Sequence, residues 1–73
     1  MKLNQEQFRD YLKEVFLEKD RHPSWRKGQL YFNVLDRMFP ACAGVICDTP
    51  DDPYYNDDVL PQFFVRIMSS EGS

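Results

Sequence analysis

WRKGQLYFNVLDRMFP, from Trp25 to Pro40, is the densest run of apolar and aromatic side chains in the sequence, and its reading decides the fold. Wound at about 100° per residue, it sets Trp25, Leu30, Tyr31, Phe32, Val34, Leu35, Met38 and Phe39 on a sector wider than half the helix circumference. Arg26, Gln29, Asn33, Asp36 and Arg37 fill what remains. A stripe that wide needs cover from two directions, so the pattern predicts a central helix over 25–39 gripped on two sides. Gly28 interrupts the stripe. Glycine in a helix interior costs about 1 kcal/mol relative to alanine, which points to a close backbone crossing by the first helix or by the later loop.

Upstream, Phe8, Tyr11, Leu12, Val15 and Phe16 recur at i, i+3, i+4, i+7 and i+8, which predicts a helix over 5–19. Asn4 and Gln7 have the spacing of a capping box, and Leu3 and Phe8 that of a hydrophobic staple. The outer face then holds Glu6, Arg9, Asp10, Lys13, Glu14 and Glu18, read as solvated. Pro23 disfavours a helical His22, so Ser24 caps the central helix or Pro23 already lies in its first turn. Either choice puts Arg26 and Lys27 against the unfavourable end of the helix dipole, at a cost of a few tenths to about 1 kcal/mol. Their expected compensation is the acidic loop of the same chain.

Downstream, Pro40 ends the helix and opens a short helical turn over 40–46. CDTPDDPYYNDD, Cys47 to Asp58, packs two prolines, five aspartates and an asparagine into an irregular connection. Within it Tyr54 and Tyr55 either pin the loop to the core or face a partner. Asp57 or Asp58 is expected to cap a last helix over 58–68 that tolerates Pro61 in its first turn and repeats the apolar spacing at Leu60, Phe63, Phe64, Ile67 and Met68. The fold class that follows is all-α: one domain over 1–68, with three main helices, a short turn and an acidic Pro/Tyr loop over 47–57, then a polar, disordered tail over 69–73.

The 73 residues leave room for one modest core, strengthened by an aromatic content of 15%. With no secretory signal and no apolar run of roughly 20 residues, the expected location is the cytoplasm, away from any membrane. Cys42 and Cys47 are spaced for neither a redox pair nor a zinc knuckle. The aspartates lack the glycine and the terminal glutamate of a calcium loop, so neither a metal nor a cofactor is expected. His22 has no nucleophile or second base beside it in the sequence, and a catalytic set is not expected. Charge divides along the chain: residues 1–37 hold eight Lys/Arg against six Asp/Glu, +2, and residues 38–73 one against six, −5.

WRxGQxxFNxL at Trp25–Leu35, FP at Phe39–Pro40, TPDDPYYNDD at Thr49–Asp58 and LPQFF at Leu60–Phe64 together resemble a pattern in small uncharacterised bacterial and phage proteins. The resemblance covers residues 25–68 and implies a small helical fold of phage or mobile-element origin. No activity comes with it. The residues favour a non-enzymatic protein–protein interaction module, an inhibitor or modulator of a host or cognate protein. Asp51, Asp52, Tyr54, Tyr55, Asp57, Arg26 and Lys27 are its expected contacts, and the broad face of the central helix is available for a homodimer. The alternative is a helix-turn-helix-like DNA-binding protein using Arg26, Lys27, Gln29, Asn33 and Arg37, against which stand the net charge of −3 and Asp36 in the middle of the reading face.

Overall fold

The computed structural model describes residues 2–68; Met1 and the expected tail over 69–73 lie outside the described residues. Four α-helices follow one another as α1 (Gln5–Arg21), α2 (Lys27–Met38), α3 (Pro40–Ile46) and α4 (Leu60–Ile67), with a 3-10 turn at Asp57–Val59 leading into α4. Among the described residues the only extended pairing is an isolated parallel bridge from Leu3 to Met68. There the Leu3 amide donates to the Ile67 carbonyl at 2.7 Å, tying the chain's start to the end of α4.

Local chemistry accounts for the helix ends. The Asn4 side chain accepts from the Gln7 amide at 2.8 Å and the Gln7 side chain accepts from the Asn4 amide at 3.0 Å, so the capping box is complete. α1 runs two residues past Lys19, to Arg21, and stops where Pro23 forces His22 out of helical geometry (φ −132°, ψ 65°). Pro40 acts likewise on Phe39 (φ −137°, ψ 69°), ending α2 while serving as the first residue of α3.

Two caps differ from expectation. Trp25 and Arg26 are not helical, and neither Ser24 nor Pro23 starts α2: its N-cap is Arg26, which is extended and makes no side-chain cap. Asp57 and Asp58 do not cap the last helix either. A 3-10 turn precedes α4 and takes the cap upstream: Asn56 caps that turn, its Oδ1 accepting from the Asp58 amide at 3.0 Å, while the N-cap of α4 itself is Val59, without a side-chain bond.

α2 is gripped on two sides, by α1 and by α3, with the 3-10 turn against its start. Leu30, Phe32, Val34 and Leu35 are buried with Tyr11, Val15, Cys42, Ala43, Ile46, Phe63 and Ile67. Tyr11 donates its hydroxyl to the Tyr31 carbonyl at 2.6 Å, which satisfies a phenol that burial holds well above the ordinary tyrosine range. Most of the apolar side chains of α2 are thus used inside the chain, with Tyr31 and Met38 half-buried.

The close crossing at Gly28 belongs to the loop. A Cβ built there would lie 1.9 Å from the Pro53 carbonyl oxygen and 2.8 Å from Asp57 Oδ1. The Gly28 amide instead donates to Asp57 Oδ1 at 2.9 Å, so a carboxylate 29 residues downstream caps the α2 N-terminus. Gly28→Ala is therefore expected to lower stability by about 1–3 kcal/mol, the usual range for overpacking, or about 5–20 °C in Tm for a domain of this size. Asp57→Ala removes the cap alone and is expected to cost about 1 kcal/mol. Thermal melts of the two variants test this, and a Gly28→Ala protein as stable as wild type would contradict the crossing.

Candidate functional site

Most of the residues expected to meet a partner have structural roles. Arg26 donates to the Tyr54 carbonyl, and Asp57 caps α2. Asp51 pairs with Arg66 at 2.9 Å. Asp52 accepts from the amides of Asp48 and Tyr54, both at 2.9 Å, holding a turn in which Asp48 sits at φ 61°, a left-handed conformation that aspartate tolerates. Tyr54 packs edge-on against Phe32, ring centres 6.0 Å apart, and so pins the loop to the core. Tyr55 leans on Tyr54 and is 80% exposed. Of the seven, Tyr55 and the exposed Lys27 remain uncommitted among the described residues.

The residues offered to DNA are dispersed in the same way. Gln29 and Asn33 are half-buried. Arg37 is turned onto α1, where it meets Glu14 at 2.7 Å and Glu18 at 3.1 Å.

Glu18 corrects the reading of α1. Helical spacing assigns it to the solvated face, yet it is 5% exposed and meets Arg21 at 2.8 Å, Arg37 at 3.1 Å and His22 Nε2 at 3.3 Å. α1 is rotated so that Tyr11, Val15 and Glu18 face inward, and Leu12 and Phe16 face out, 38% and 71% exposed. The side-chain bond from Arg37 outweighs desolvation and, with Arg21, holds the Glu18 carboxyl below its ordinary range. Glu18 is thus an ionised anchor for two guanidinium groups, and the His22 ring beside it lies flat on Trp25, ring centres 3.7 Å apart.

That rotation opens a groove of about 740 Å³ between α1, the His22–Trp25 turn, α2 and α4. Its walls include Leu12, Phe16, Trp25, Tyr31, Leu60 and Phe64, with Lys19, Asp20 and Lys27 on the charged part of the lining. A second cavity of about 410 Å³, lined by Leu3, Phe8, Arg9, Leu12 and Met68, adjoins it across Leu12. Phe8, Leu12 and Phe16, at i, i+4 and i+8, form the ridge along which the two meet.

Chemistry elsewhere is limited. Cys42 is buried and Cys47 exposed, both free. Burial raises the pKa of Cys42, and partial desolvation by its neighbours raises that of Cys47, where the carboxylates of Asp48, Asp52 and Asp36 add to it, so both stay thiols rather than nucleophilic thiolates. Ligand atoms of Cys47, Asp48 and Asp52 lie within 4.8 Å of one another. Asp52 there already accepts two amides, and the set mixes a protonated sulfur with oxygen donors, a poor match to any one cation. No helix among the described residues is long and apolar enough to cross a membrane.

Because the folded-state pKa of Glu18 is depressed, its stabilisation is fully present above the ordinary value of 4.5 and is lost as pH falls through the lower folded value. Acid titration of the folded chain, followed by circular dichroism, is expected to show stability declining from roughly pH 5 downwards. Glu18→Gln should be less stable at neutral pH with a shallower decline, and parallel curves for the two proteins would remove Glu18 as the anchor. No family model matches the chain, and neither a curated protein nor a solved structure matches it.

Proposed function

We propose that this domain is a non-enzymatic protein-binding module whose docking surface is the groove between α1, α2 and α4. The observation that carries this reading is Phe16, a phenylalanine 71% exposed on the lip of a cavity with aromatic walls. Single exposed apolar residues are ordinary. Leu12 and Phe16, exposed one turn apart on one helix face with half-buried Phe8 in line and bordering two adjoining cavities, form the kind of contiguous patch that marks an interaction site. In the aspartate-rich loop, by contrast, Asp51, Asp52 and Asp57 are spent on the Arg66 pair, a turn and the α2 cap.

The supposition that the partner is a host protein, and this chain a phage or mobile-element encoded inhibitor of it, has the motif resemblance as its support. The DNA-binding alternative draws no support from Arg26 and Arg37, both of which bond within the chain.

Phe16→Asp tests the reading, because an exposed ring contributes little to stability. The variant should keep its helical spectrum and a Tm within about 5 °C of wild type, yet lose the proteins that immobilised wild type captures from lysate. Tyr55→Ala should keep them. Capture that survives Phe16→Asp and fails with Tyr55→Ala would put the docking site on the loop instead. Salt-dependent binding of labelled duplex would replace the reading with DNA recognition.

A further inference from the structure

Part of the chain's charge is committed inside the fold. Glu14, Glu18, Asp51, Asp52 and Asp57 each have a partner inside the fold. Arg21, Arg37 and Arg66 are ion-paired and Arg26 bonds a carbonyl. Among the described residues, Lys2, Arg9, Lys13, Lys19 and Lys27 are exposed and enter no ion pair within 4.0 Å. Three of these five line the two adjoining cavities, Arg9 the smaller and Lys19 and Lys27 the larger, against Asp20 as the one carboxylate in either lining. A protein of net charge −3 therefore sets three uncommitted cations against one carboxylate around its apolar groove.

We propose that the occupant of the groove is an acidic amphipathic helix of a partner protein, an inference that rests on the groove being the docking surface. Such a helix sets apolar side chains, at the i, i+3 or i+4, and i+7 spacing, against Phe16, Trp25 and Tyr31 while its carboxylates reach Lys19 and Lys27. Lys27 is the first residue of α2, where the helix dipole adds to the attraction for an anion. The chain's own final residues do not meet this description, because Ser69, Ser70, Glu71, Gly72 and Ser73 include no apolar side chain to fill the cavity. A second copy meets it poorly, since α1 would bring its own Arg9, Lys13 and Lys19 to the cationic rim.

The test is a selection from a displayed library of amphipathic helical peptides, with apolar residues held at that spacing, all other positions free and tryptophan left out. Peptides are selected on the wild-type chain and counter-selected on Phe16→Asp. The expected result is enrichment of Asp and Glu at the free positions. Trp25, the one tryptophan of the chain, then reports binding of a selected peptide by its emission, and Lys19→Glu with Lys27→Glu together should weaken that binding about tenfold or more. Enrichment of neutral or basic peptides that still depend on Phe16 would overturn the acidic partner and leave the groove reading standing. No Phe16-dependent enrichment at all would overturn both. Two further arms address other occupants: a Trp25 response to phosphatidylglycerol vesicles that displaces the peptide, or a dimer by light scattering that Phe16→Asp dissolves, would each overturn the peptide in favour of a membrane surface or a second copy.

Discussion

The contact between Gly28 and the Pro53 carbonyl is the point on which the second half of the chain hangs. At that spot two backbones approach more closely than any side chain allows, and Asp57 can reach the Gly28 amide only because they do. The contact satisfies an orphan amide of a helix whose own N-cap, Arg26, supplies no acceptor. It also seats Pro53 in a buried position and leads directly into the 3-10 turn and α4. Since α4 carries Leu60 and Phe64, one wall of the groove owes its place to this glycine. A methyl group at residue 28 would push on the loop, and through the loop on the groove.

The unfavourable cations at the start of α2 make sense on the same terms. Arg26 sits where the helix dipole repels it, but it donates to the Tyr54 carbonyl, while Asp57 presents negative charge to the same helix end. One carboxylate of the acidic loop, Asp57, and one arginine of the basic half, Arg26, thus tie the two halves together, each through a backbone group of the other, while every ion pair among the described residues stays within its own half.

What the sequence showed and what it hid divide along the range of the interactions. The capping box at Asn4 and Gln7, the stops at Pro23 and Pro40, the two-sided burial of α2 and the close crossing at Gly28 are all legible. Each follows from a residue's own conformational limits or from spacing within one helix. The rotation of α1 is different. Phe8, Tyr11, Leu12, Val15 and Phe16 span a sector wide enough to satisfy several orientations, and the one adopted is selected by Glu18 meeting Arg37, 19 positions away. Spacing within α1 has no information about that arginine. The same long-range pairing made the polar face of α2 look free for DNA when Arg37 was already engaged, and made Asp51 and Asp57 look available to a partner.

That rotation carries a thermodynamic consequence for how fold and function are separated in so small a domain. Burying a phenylalanine contributes about 1.5–3 kcal/mol, a large share of the 5–15 kcal/mol that a typical domain has. Turning Phe16 outward forgoes that contribution, and turning Glu18 inward adds the desolvation of a carboxylate, which must then be offset by Arg21 and Arg37. An orientation that buried Leu12 and Phe16 and left Glu18 in water would satisfy the hydrophobic pattern of α1 at least as well. The ion-pair cluster therefore acts as the device that keeps the apolar ridge on the surface, and removing the charge of Glu18 should loosen the orientation of α1 before it unfolds the chain. The surface that a partner would use is, on this account, held open by an electrostatic contact on the opposite side of the same helix.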